Sequence, residues 1–138
     1  MAINHRRRPR RARVSLRGDR GAVTVQVVVL MPAMFLLMFT GMQAALIYHG
    51  RTVALAAAQE GARVAAVMSS TAQAGEVAAA QFVDSAGGQD VLRDATVTAT
   101  RDATTAQVTV SGTTLTVVPG WVPTITQSAV APLEQVTG

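Results

Sequence analysis

Cysteine is absent from the chain, which excludes disulfides, thiolate metal sites and a cysteine nucleophile together. Lysine is absent too, so all twelve basic residues are arginine. Histidine occurs twice, His5 within an arginine cluster and His49 alone beside an apolar run. From those positions neither a nucleophile–histidine–acid triad nor a histidine-rich metal site can be assembled. No glycine loop of the phosphate-cradling kind occurs. Glu60, Glu76, Asp84, Asp90, Asp94, Asp102 and Glu134 are scattered without ligand spacing and read as solvated surface. The sequence therefore reads as non-enzymatic, with no catalytic residue, metal ligand or cofactor to assign. Aromatic residues make up 4% of the 138 positions, so any water-facing core must be small and poor in large side chains. The lack of cysteine does not argue against a location outside the cytoplasm.

Charge is distributed unevenly. Residues 1–20 hold eight of the twelve arginines against one acid, Asp19, which makes this leader +7 and the remainder −3. Between Arg20 and Arg51 there is no charged residue at all. Ala22–Tyr48 is a nearly continuous apolar run of 27 residues. As a helix it is about 40 Å long, against a hydrocarbon thickness of about 30 Å, and it spans a bilayer with residues to spare. The rest of the chain has too little apolar sequence to cover such a helix in water. Pro32 removes one backbone hydrogen bond inside the run and is expected to kink it, which membrane helices tolerate. Gln43 and Thr40 interrupt the run and are read as sitting near a helix interface or bonding to backbone.

The arginines set the topology. Excess positive charge directly before the helix stays in the cytoplasm and puts residues beyond about 50 outside. The localisation expected is the bacterial cytoplasmic membrane, single-pass, with the lipid bilayer as first partner. A nucleic-acid arm is the rival reading of residues 1–20, but the arginines lack interleaved aromatics, and no specific nucleic acid is expected. A cleaved signal peptide is a second rival, disfavoured by the length of the apolar run and the lack of an A-x-A site.

Beyond the run, residues 51–68 are alanine-rich and continue the helix outwards as a stem, with Val53, Ala57, Glu60, Val64 and Val67 on one face by spacing. Ser69-Ser70-Thr71 supplies a break and an N-cap for a second helix to about Ser85, which Gly87-Gly88 stops. Ala95–Arg101 and Ala106–Ser111 alternate as strands around an Asp102–Thr105 turn. Thr114–Val118 reads as a third strand, and Thr124–Val130 as a last one. The fold class expected is α+β and pilin-like: a long N-terminal transmembrane and stem helix, a second helix, and a small antiparallel sheet of three to four strands. The division expected is 1–20 basic cytoplasmic leader, 21–49 transmembrane helix, 50–94 extracytoplasmic helical stem, 95–132 β region and 133–138 tail.

The order of these features carries a resemblance. Arg20-Gly21 precedes the apolar helix, which contains Leu30-Met31-Pro32, and the stem carries Glu60-Gly61-Ala62-Arg63 after Ala57-Ala58-Gln59. Over residues 20–67 the chain resembles the TadE-like family, the pseudopilin-type proteins of tight-adherence (Flp) pilus assembly. The resemblance implies a pilus-assembly component whose partners are other pilin-like or Tad-system membrane proteins. It also implies processing by a prepilin peptidase, with Gly21 as the residue before the cut and Ala22 as the new first residue. Pilin-like proteins usually carry glutamate at the fifth position after the cut, where this chain has Gln26, which can hydrogen-bond but cannot form an ion pair. Two other readings stay open: an uncleaved bitopic protein whose head binds an envelope partner, and an exported binding domain.

Overall fold

A computed structural model describes residues 19–134, with side chains from Thr24 onward. The arginine cluster up to Arg17 thus lies outside the described residues. The elements are α1 Asp19–Ala66, α2 Ala72–Ser85, a short 3-10 turn Gly88–Asp90, β1 Arg93–Arg101, β2 Thr105–Thr113 and β3 Thr124–Pro132. The fold is α+β. The chain divides into two units, one through Leu36 and one from Leu37 onward.

In the first unit the described residues belong to α1, which continues through Pro32. Val25, Leu30, Phe35 and Leu36 are exposed to between 52% and 71%. Among the described side chains none in this segment is buried, unlike those of the core helix of a soluble domain.

In the second unit the three strands form an antiparallel sheet in the order β1-β2-β3, a meander. Ala106 pairs with Arg101 on one side and Ala131 on the other, while Thr113 pairs with Thr124. Alternation then assigns the faces. Ala106, Val108, Val110 and Ile125 are buried in the core, with Ala129 and Ala131 packed against it. The other face carries hydroxyls and amides: Gln107 donates to Ser128 at 3.0 Å, Thr109 donates to Ser128 at 3.1 Å, and Ser111 bonds Thr126 at 3.0 Å. Thr71 caps α2, its hydroxyl accepting from Ala74 N at 3.1 Å, as expected for a helix opening there. At the end of α2, Gly87 takes φ of 121°, a conformation open to glycine.

One expectation needs correction. Thr114–Val118 is a loop, not a strand. Its backbone groups are claimed elsewhere: Gln43 Nε2 donates to Leu115 O at 3.3 Å, and Val117 N donates to Gln43 Oε1 at 2.8 Å. The prolines at 119 and 123 also have no N–H to give a ladder. Burial on the stem follows its small residues. Val53, Ala54, Ala57, Ala58, Ala62, Ala65 and Ala66 are buried, whereas Val67 is 41% exposed and Glu60 and Val64 are only partly covered. The helix presents its small side chains to α2 and the sheet because only they permit so close an approach.

The β1–β2 turn is held by one carboxylate. Asp102 accepts from Thr104 N at 2.8 Å and Thr105 N at 2.7 Å, and from both threonine hydroxyls. The Thr104 N–H, then the Thr105 N–H and the hydroxyls, stabilise the charged form and lower its pKa from 3.8 to about 2. The folded carboxyl therefore takes up its proton less readily than the unfolded one. Its stabilising contribution is complete above 3.8 and is lost as pH falls towards about 2. Thermal unfolding of the full chain in detergent should show the wild-type advantage over Asp102→Asn shrinking across that window and constant above it.

Candidate functional site

The stem signature sits where three elements meet. Gly61 faces Gly75 of α2: a Cβ added at Gly61 would lie 2.6 Å from Gly75 O and 2.9 Å from Ala79 Cβ. A Cβ at Gly75 would likewise lie 2.6 Å from Gly61 O. Two helix backbones touch here, and glycine at both positions is a packing requirement. Ala62 is buried with Ala58 and Ala54 in the same core. Glu60, half-buried beside Phe82 of α2, and the exposed Arg63 lie outside that core. Their carboxylate and guanidinium form an ion pair one helical turn apart, with Arg63 76% exposed. The four signature residues thus divide into an inner pair that brings helices together and an outer charged pair on the surface.

Gly21, Ala22 and Gln26 all belong to the first unit and lie within α1, with Gln26 exposed. Glu60 to Arg63 belong to the second unit.

Sequence reasoning missed three positions. Gly75 was legible as a signal, because glycine in the middle of a short helix costs up to about 1 kcal/mol relative to alanine and calls for a packing reason. Arg101 gave no such signal. Its Nη1 donates to the carbonyls of Ala65 at 2.5 Å, Ser70 at 2.7 Å and Val67 at 2.9 Å, closing the C-terminal end of α1. A helix end leaves carbonyls without intrahelical partners, and a cation there satisfies them and complements the helix dipole. Glu76 was also read as plain surface, yet its carboxylate accepts from Ala99 N at 2.9 Å and ties α2 to β1. At the other end of the head, Gln43 is 1% exposed and its amide holds the β2–β3 loop through Leu115 and Val117.

Residues 21–63 match the family model described as TadE-like protein. The match starts at the candidate processing glycine and ends at the arginine of the stem signature. Among the described residues one helix is long and apolar enough to cross a membrane. Together these fit a pilin-like membrane protein of a Tad system. Comparison with curated proteins and with solved structures gives no match.

Two mutational outcomes follow from the geometry. Gly61→Ala overpacks the crossing at a cost of about 1–3 kcal/mol, more than the helix-propensity gain of up to about 1 kcal/mol. It should lower the melting temperature, whereas Gly41→Ala, whose Cβ meets nothing within 4 Å, should not. Arg101→Ala should destabilise the head by about 1.5–3 kcal/mol through lost charge-assisted bonds. Arg63→Ala should stay within about 0.5 kcal/mol, as expected of an exposed pair. Circular-dichroism melts of the full chain in detergent compare each pair.

Proposed function

We propose that this chain is a minor pseudopilin-type component of a tight-adherence pilus system, held in the cytoplasmic membrane by the apolar part of α1, with its head outside. The observation that carries the reading is the extent of the family match, which takes in the apolar segment and the stem signature as one block. The leader's charge supports the orientation, since eight arginines precede the apolar run and none follows before Arg51.

In this reading the hydrocarbon-spanning part of α1 ends near Met42. Gln43 is covered by the β2–β3 loop, Ile47 packs against the core, and Gly50 lies against Thr114 and Ile125, so protein replaces lipid on that side of the helix. Ala22 to Met42 is about 31 Å of helix, close to the hydrocarbon thickness of about 30 Å. Pro32 lies inside this span, and exposed Met31, Met34, Met38 and Met42 offer adaptable contacts to neighbouring membrane helices.

The protein acts by contact, through lateral helix packing in the bilayer and through head surfaces outside it. The outward Glu60–Arg63 pair is the contact point on the stem that the internal packing does not use. A prepilin peptidase removes the leader after Gly21, and Gln26 then stands at the fifth position of the mature chain, where it hydrogen-bonds without an ion pair.

The test is the intact mass and first residue of the protein from native membranes. A chain starting at Ala22 is the expected result. A chain retaining its arginine leader overturns processing and leaves an uncleaved bitopic protein, while loss of the whole apolar run makes it an exported domain.

A further inference from the structure

The loop between β2 and β3 is ordered and uncharged. Thr114 N donates to Pro123 O at 3.2 Å and closes its base, and Pro123 is buried. At its tip Trp121 N donates to Val118 O at 3.3 Å around Pro119-Gly120, with Gly120 at φ of 81°. Proline followed by glycine at positive φ is the pattern of a type II turn, which fixes the tip without help from neighbours. On this turn Trp121 is 51% exposed and Val122 is 61% exposed. A folded domain with so few large side chains would ordinarily bury its one tryptophan.

The position of the loop explains the exposure. Gln43 holds Leu115 and Val117, so the loop sits at the point on α1 where covered helix gives way to exposed apolar helix. Leu37 is 77% exposed and Met42 is 50% exposed just before that point. Tyr48, the chain's one tyrosine, is 74% exposed slightly beyond it. No charged residue occurs between Asp102 and Glu134, and on α1 the first charge after the apolar run is Arg51. Arg51 lies eight residues past Gln43, about 12 Å along the helix. Amphipathic aromatic rings gather where hydrocarbon meets headgroups, and charges gather beyond it.

We propose that the loop Thr114–Pro123 is a second membrane contact, with Trp121 and Val122 seated among the lipid headgroups of the leaflet on the head's side. The occupant is phospholipid rather than protein, because the loop is held by Gln43 beside the exposed apolar part of α1, carries no charge and presents an exposed tryptophan. Two attachments, one spanning and one at the interface, fix the head's rotation and height over the bilayer. That orientation determines which face of the stem and sheet neighbours can reach. The inference rests on the reading of α1 as a membrane anchor.

Trp121 is the chain's one tryptophan and reports on itself. The full chain is reconstituted in phosphatidylcholine vesicles whose acyl chains are brominated either near the carbonyl end or near the methyl end. The expected result is an emission blue-shifted from that of the urea-unfolded chain, with shallow bromines quenching more than deep ones and weak quenching by aqueous iodide. The double variant Trp121→Phe/Phe35→Trp moves the probe into the helix. Quenching of that probe with no lipid quenching of Trp121 overturns the loop proposal and leaves the anchor standing. Failure of both probes to meet lipid overturns the anchor, and the loop proposal with it. Shielding of Trp121 from both bromolipid and iodide assigns it to a protein contact and also overturns the proposal.

Discussion

Gly61 and Gly75 bring two helix backbones together so closely that a Cβ on either would meet the other's carbonyl oxygen at 2.6 Å. The rest of the head depends on that approach. With the helices in contact, alanine suffices to fill the space between them, and Ala54, Ala57, Ala58, Ala62 and Ala79 form a core with little volume per residue. Val108, Val110, Leu92 and Ile125 complete it from the sheet and the turn before β1. A domain with few aromatic residues can be well packed if its elements lie close enough for dispersion contacts to be made by small groups.

The head is held at both ends of the stem by polar side chains that take backbone groups as partners. At the far end Arg101 closes the last turn of α1 and Asp102 holds the neighbouring hairpin. At the near end Gln43 does the same for the β2–β3 loop. Each of these gives backbone groups a partner at a location where no strand or helix supplies one. The result is a polarity along the stem: charge and turn chemistry at one end, an uncharged loop with an exposed tryptophan at the other.

The stem signature acquires a physical meaning from this arrangement. A glycine and an alanine face inward to allow the helix crossing, and a glutamate and an arginine face outward as a surface pair. The inner residues serve the fold, and the outer pair adds little to its stability.

Much of this was legible in the sequence. The charge-free run, the second helix with its Thr71 cap, the Asp102 turn and the resemblance around Glu60–Arg63 all follow from local patterns, because apolar period, capping and turn chemistry act over a few residues. The third strand expected at Thr114–Val118 failed because a glutamine 72 positions earlier holds its backbone. Which side of the stem is buried did not follow from spacing, because hydrophobicity does not say which side must be narrow. By itself the sequence determined both helices, the three strands that form, their order and the apolar run, all properties of neighbouring residues. Only the tertiary structure decided that the alanine face is the core, that Gly61 needs Gly75, that Arg101 closes α1 and that Gln43 ends the free helix. Those are pairings between distant residues, fixed by which surfaces can approach and which backbone groups remain to be satisfied.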